Sequence, residues 1–257
     1  MSNKKIVAVI PARMAASRFP GKPLVSISGL PMIEHVRRRV SLCELLEGVY
    51  VATCDQEIAD CVKKFGGNAI MTKNTHERCT DRVEEAALHL DCDIVVIVQG
   101  DEPLFTPDII EPLVKPLIEN EELVCANVLS PIRDREDLLD VNIIKTLIDQ
   151  KNRVLYYSRA PIPYFRVKNN CPVYRQTGLS AFTKKFLHQF SQLPPTPLEV
   201  AESIDFLRIL EHRFPIQGVI CGQRTIGVDQ PQDVGKIETV LLENPLHKEF
   251  HQKILHL

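Results

Sequence analysis

Short apolar runs alternate with segments of helical period through the first half of the chain. Residues 6–10 (IVAVI) form a continuous apolar run that predicts a buried strand. PMIEHVRRRVSLCELL (31–46) has helical spacing, VYVAT (49–53) reads as a strand, and DQEIADCVKKFG reads as a helix stopping at Gly66-Gly67. AIMT is another short strand, and TDRVEEAALHL predicts a helix with Thr80 as N-cap and a negative first turn. DIVVIVQGDEP reads as an apolar strand running into a polar turn. TPDIIEPLVKPLIEN opens with a cap and a proline at the first helical position. Apolar strands alternating with helices predict a mostly parallel sheet covered on both faces. In such sheets ligands bind beyond the carboxyl ends of the strands. The loops after IVAVI, VYVAT and IVVIVQ are therefore the ones to search for chemistry.

The pattern changes in the second half. NIIKTLID and RVLYYS flank turn residues near Asp149–Lys151 and predict a hairpin. APIPYFR is a proline-punctuated loop, and VYRQTGLSAF has β character. PLEVAESIDFLRILEH reads as one amphipathic helix, and GVDQPQDVGKIETVLLE as a capped helix near the end. The expected organisation is a single α/β domain over 1–257 with a small β-rich insertion at about 130–185.

Composition narrows the function classes. The 257 residues can bury a full core. A formal net charge of -2 argues against a general nucleic-acid or membrane-surface binder. No apolar run approaches the roughly 18 residues needed to span a bilayer. The start MSNKK leads straight into a strand without a signal-peptide pattern, so a cytosolic protein is expected. Eight cysteines contain no C-x-x-C pair, which argues against a zinc ribbon or thioredoxin-type site; buried, reduced thiols are expected.

Three stretches carry candidate chemistry. PARMAASRFPGKPL follows the first strand and offers Arg13, Arg18 and Lys22 as cations. Ser17 and backbone N–H groups add donors, and Ala12, Ala15, Ala16 and Gly21 allow close approach. A triphosphate needs such a set, although a solvated basic loop has the same composition. Gln99-Gly100-Asp101-Glu102-Pro103 ends a buried strand and offers a carboxylate, best Asp101, for a Mg²⁺ bridging phosphate oxygens. Asp229 precedes a helix, as a cap or as a second carboxylate on the same metal.

PARMAASRFPGKPL, PMIEHV, VATCDQEI, THERCTDRVEE, VQGDEPLF, LYYSRAPIPYFR, TPLEVAESIDFLRILE and GVDQPQDV, in that order, resemble the bacterial 3-deoxy-manno-octulosonate (KDO) cytidylyltransferases, the CMP-KDO synthetases. The resemblance implies a three-layer α/β/α nucleotidyltransferase fold, CTP and a 2-keto-3-deoxy sugar acid as substrates, Mg²⁺ as cofactor, and a homodimer. It puts Arg13, Ser17 and Lys22 on the CTP phosphates, with Ala12 lining the site. It places Thr53, Thr80, Asp81, Arg82 and Gln99 around the nucleotide. Asp101 and Asp229 become the Mg²⁺ ligands, and Arg159 and Arg166 lie near the sugar acid. A carboxylate substrate suits a bidentate arginine independently.

Departures fall on the sugar side. Gln176 stands where the family has histidine, Ser180 where it has an aromatic hydroxyl, and Asp205-Phe206 where it has Glu-Gln. Losing polar partners of a bound hydroxyl raises the expectation that KDO is a poor acceptor. An 8-amino octulosonate or another anionic acceptor is the nearer alternative. Cys79 stands where the family loop has glycine, as neutral drift or as an influence on nucleotide choice. A non-catalytic nucleotide-binding protein is the further alternative, opposed by the joint presence of Arg13, Lys22, Asp101 and Asp229.

Overall fold

A computed structural model describes residues 4–15, 19–167, 171–222 and 227–257. The chain forms two compact units: residues 1–110 with 225–257, and residues 111–224. The expected β-rich stretch falls within the second.

In the first unit, β1 (Ile6–Ala12) is buried along its whole length. A 3₁₀ turn at Lys22–Leu24 and a small hairpin, β2 (Ser26–Ile27) with β3 (Leu30–Pro31), lead into α1 (Met32–Val40). Then follow β4 (Gly48–Thr53), α2 (Gln56–Lys64), β5 (Asn68–Met71), α3 (Cys79–Leu88) and β6 (Ile94–Ile97). The four main strands are parallel in the order β6-β1-β4-β5. The chain moves from β1 outward through β4 and β5, then crosses to the other side of β1 as β6. The carboxyl ends of β1 and β6 thus flank a topological switch point, where open α/β sheets bind ligands.

Sequence pattern and structure agree on these strands because each is an apolar run that two covered faces require. Thr80 is a correction: the N-cap position of α3 is Arg78, and Thr80 is a buried residue inside the first turn. Helix α1 is also unlike a surface helix, since Glu34, His35, Arg37, Arg38 and Arg39 are all buried. The charges of Glu34, Arg37 and Arg38 meet within the helix. Glu34 accepts from Arg37 (2.8 and 2.6 Å) and Arg38 (3.0 Å).

The first stretch of the first unit ends in a 3₁₀ turn at Pro107–Ile109, with Thr106 at its N-cap position, and α4 (Ile110–Glu119) leads into the second unit. Then come β7 (Cys125–Pro131), α5 (Arg135–Leu139), β8 (Lys145–Ile148), β9 (Val154–Ser158) and β10 (Tyr174–Thr183). Three short helices follow, α6 (Lys184–Gln192), α7 (Pro197–Glu202) and α8 (Phe206–Glu211), before β11 (Ile216–Ile220). β7 pairs antiparallel with β10 and parallel with β11, while β8 pairs antiparallel with β10 and β9. The β8–β9 hairpin is the expected one; Asp149 Oδ1 accepts from the Lys151 and Arg153 N–H groups (2.8 Å each) and shapes its turn.

The single helix expected over PLEVAESIDFLRILEH is two, a correction. Ser203 takes the left-handed conformation (φ 53°) and breaks it. The halves stay joined by a buried bidentate pair, Arg208 to Glu199 at 2.7 and 2.5 Å.

The chain re-enters the first unit as α9 (Asp233–Glu243) and α10 (Pro245–Leu255). α9 closes an apolar cluster of Ile27, Met32, Leu104, Val228, Ile237 and Leu241. α10 docks on α1: Arg38 donates to Ile254 O (2.7 Å), Arg39 to His247 O (3.2 Å), and the His35 and His251 rings stack at 5.3 Å. Among the described residues the cysteines are free; Cys92 and Cys125 are buried, five others are half-buried and Cys171 is exposed, so the thiols are less buried than expected. No helix among the described residues is long and apolar enough to cross a membrane.

Candidate active site

The loop after β1 is closed on itself. Gly21 N–H donates to Met14 O (3.1 Å), with Gly21 at φ 75°, a left-handed conformation that favours glycine. Met14 N–H donates to Asp55 Oδ2 (2.7 Å), at the start of α2. Both backbone groups of Met14 are therefore held. The candidate cations Arg13 and Lys22 lie immediately outside this closure, one at each end. Arg13 is exposed and Ala12 buried. Ser17 and Arg18 lie outside the described residues.

Lys22 ends on two acceptors, Asp101 Oδ2 (2.7 Å) and Val228 O (2.8 Å). Asp101 sits just past β6, in a turn pressed against β1. A β-carbon on Gly100 would lie 2.9 Å from Pro11 O, so only glycine fits there. Asp101 O accepts from Val228 N–H (2.9 Å), which brings Asp229 beside it in the chain's return to the first unit. The Lys22 side chain is 13% exposed and that of Asp101 37%, so the pair is accessible from one side. Asp229 is exposed. It is not a helix cap: α9 begins at Asp233, whose Oδ2 accepts from the Asp229 and Gln230 N–H groups (3.1 and 2.9 Å).

Asp101, just past β6, and Asp229, next in the chain to its backbone partner Val228, offer hard carboxylate oxygens, and Mg²⁺ takes one or two carboxylates and keeps several waters. The residues present fit that ion. They do not form a full protein cage; no group of three or more His, Cys, Asp or Glu among the described residues is placed to hold a metal.

The other predicted nucleotide residues divide. Gln99 Nε2 donates to Cys79 Sγ (3.5 Å), joining the end of β6 to the start of α3. Asp81 lies half-buried in the first turn of α3. Thr53 is fully buried and its hydroxyl accepts from Asp55 N–H (3.1 Å). The Arg82 guanidinium is buried, donating to Thr72 Oγ1 (2.5 Å) and Lys73 O (3.2 Å). Asp55 was passed over in the sequence, although it lies in one of the strand-end loops singled out above.

The sugar-side candidates all belong to the second unit. Arg159 donates through its side chain to Glu202 O (2.7 Å), Val141 O (3.0 Å) and Ser203 O (3.4 Å). Glu202 in turn accepts from Ser158 Oγ (2.6 Å) and Arg159 N–H (2.8 Å). Arg166 is exposed. Gln176 lies on β10, and its Oε1 is buried without a hydrogen-bond partner. Asp205 takes the N-cap position of α8. Phe206 is 5% exposed and packs edge-on against Tyr157 and Phe182, at 5.9 and 5.7 Å.

Residues 7–217 match the sequence profile of a family described as cytidylyltransferase. The chain is 43% identical over 234 residues to the 3-deoxy-manno-octulosonate cytidylyltransferase of Acaryochloris marina, covering 91% of this chain and 96% of that protein. It is 41% identical over 244 residues to the protein of that name from Geobacter metallireducens, with 91% and 96% covered. Among solved structures it resembles a CMP:2-keto-3-deoxy-manno-octonic acid synthetase complexed with CTP. The TM-score is 0.89 at 35% identity, over 93% of this chain and 99% of that one. A 4-diphosphocytidyl-2C-methyl-D-erythritol synthase from Anaerococcus prevotii (TM-score 0.63, 16% identity, 94% and 100% covered) shares the fold. The expected α/β nucleotidyltransferase architecture, a mostly parallel mixed sheet with helices on both sides, is the one observed.

Proposed function

The chain belongs to the cytidylyltransferase family, and from that premise we propose that it joins CTP to 3-deoxy-manno-octulosonate, giving CMP-KDO and pyrophosphate. The observation that carries this is the meeting of Lys22, Asp101 and the Val228–Asp229 segment beyond the carboxyl ends of β1 and β6.

The acceptor's anomeric hydroxyl attacks the α-phosphorus. A new P–O bond forms as the bond from the α-phosphorus to the oxygen bridging the β-phosphate breaks; pyrophosphate leaves with that oxygen and the hydroxyl proton passes to solvent. Arg13 and Lys22, at the two ends of the closed loop, hold the triphosphate and stabilise charge growing on the departing pyrophosphate. Asp101 and Asp229 would hold Mg²⁺, which when bound neutralises the α-phosphate and lowers the pKa of the attacking hydroxyl. For Lys22 to reach a phosphate it exchanges Asp101 Oδ2 for a phosphate oxygen, leaving that carboxylate oxygen available.

Arg159, Arg166, Gln176 and Asp205 serve the sugar acid. Arg159 has five N–H donors, and its three described side-chain bonds leave capacity for the acceptor carboxylate. The unpartnered Gln176 Oε1 suits a donating hydroxyl. Phe206 supports the aromatic core of its unit, so its replacement of a polar residue is accounted for by packing. A homodimer is the proposed assembly, through the β-rich part of the second unit. Among the described residues β9 pairs only with β8, and Leu155 (60%), Val167 (69%) and Tyr164 (90%) are exposed. A second copy would cover them; a light-scattering mass of one 29.1 kDa chain would exclude it.

Pyrophosphate release with CTP tests the reaction, using KDO, its 8-amino analogue and shorter 2-keto-3-deoxy acids. Turnover of KDO at ordinary enzyme rates, roughly 1–10³ s⁻¹, supports the assignment. Preference for the amino analogue would move the acceptor to the alternative raised by Gln176 and Asp205. Absence of pyrophosphate release with every acid would leave a binding protein.

A further inference from the structure

Asp55 occupies the N-cap position of α2, with the extended backbone (φ -105°, ψ 119°) that a capping residue takes. Aspartate there ordinarily turns its carboxylate onto the helix's first free N–H groups. Here it makes no such cap bond. Its Oδ2 instead accepts the N–H of Met14, 41 residues earlier, at 2.7 Å and partly buried, and the thiol of Cys54 at 3.7 Å. The carboxylate is itself steered: Asp55 N–H donates to the buried Thr53 hydroxyl at the end of β4. The other backbone group of Met14 accepts from Gly21 N–H.

We propose that Asp55 is a positioning residue for the triphosphate loop, acting through the Met14 N–H to set where Arg13 and Lys22 stand. This rests on the CTP reading and assigns it a residue that itself touches no substrate. The physical reason is that Arg13 is exposed and lies next to the pinned peptide. The Gly21 N–H to Met14 O bond ties the two ends of the loop to each other, and the Asp55 bond ties the Arg13 end to the start of α2. A charge-assisted bond to the peptide beside Arg13 fixes that end, while Asp101 and Val228 O hold the other through Lys22. Removing the order before CTP binds leaves it to be established on binding, which weakens affinity.

The test separates loop positioning from helix capping. Asp55→Asn keeps an oxygen that can accept the Met14 N–H. Asp55→Ser keeps a good helix cap but is too short to reach Met14. Expected is a rise in KM for CTP of about 10- to 100-fold for Asp55→Ser and Asp55→Ala, the range of a lost hydrogen bond to a charged group. KM for the acceptor and the melting temperature of Asp55→Ser should stay near wild type, and Asp55→Asn should recover most of the loss. The proposal is overturned if Asp55→Ser binds CTP as the wild type does, or if the acceptor KM rises in step. Calorimetric titration of CTP into each variant gives the same comparison without turnover. Failure of the wild type to release pyrophosphate therefore counts against the reaction and not against Asp55.

Discussion

Lys22 Nζ lies 2.7 Å from Asp101 Oδ2, so the cation assigned to phosphate and the carboxylate assigned to metal are partners before either meets its ligand. The pair sits at the switch point of the parallel strands, and Val228 O takes a second bond from the same ammonium group. Truncating Lys22 to Ala and changing Asp101 to Asn should each lower kcat/KM for CTP by about 10²–10³-fold. Their combined effect should fall short of the product, because each single change already breaks the pair. Steady-state kinetics of the two single variants and the double variant check this; strictly multiplicative losses would mean the two act independently.

Asp229→Asn should leave the fold intact, since its side chain is exposed, and should abolish transfer. A Mg²⁺ titration distinguishes a ligand from a bystander. A variant that reaches wild-type turnover at the wild-type Mg²⁺ concentration removes Asp229 from the metal site.

The second unit depends on Glu199 and Arg208, whose side chains are 2% and 8% exposed and which share a bidentate contact. Arg208→Ala leaves a buried carboxylate without its countercharge, at a cost of about 3–5 kcal/mol. Urea unfolding of the variant reads this directly. A loss under 1 kcal/mol would mean that the carboxylate finds water.

His35 makes stability pH-dependent. Burial pushes its pKa down to about 4, against the raising effect of its bond to Ile27 O, with His251, Arg39 and Arg38 adding to the lowering. Burial also lowers His247 and His251 in the same interface. The unfolded chain takes up a proton below the ordinary histidine value of about 6.5, and the folded one resists until about 4. Stability from His35 is therefore complete above about pH 6.5, falls as pH drops toward 4 and is gone below it; the total is roughly 3 kcal/mol. Unfolding free energies measured across that window should fall with acid, and His35→Gln should flatten the slope. An unchanged slope would assign it to other groups.

Much of the first unit could be read from the sequence because its strands are unbroken apolar runs, and strand ends point to Arg13, Lys22 and Asp101. Other features depend on partners distant in the chain. Thr80 looks like a cap beside charged residues, yet α3 starts earlier and buries it. The helical spacing of 31–46 does not foretell the burial of Arg37, Arg38 and Arg39, which rests on Glu34 and on backbone carbonyls of Phe65, Phe105 and α10. Ser203 breaks a helix whose apolar spacing continues through it, because the left-handed turn is a backbone choice that periodicity does not encode. Asp55 was missed since it looks like an ordinary helix cap, and its real partner lies 41 residues away.

The first unit is assembled from both ends of the chain, with the second inserted between them. Asp101 and the Val228–Asp229 segment that completes its surroundings are therefore made at very different times during synthesis. A chain cut short before Val228 would keep the residues of β1, β4, β5 and β6 but lose both the backbone carbonyl that accepts from Lys22 and the Asp229 carboxylate.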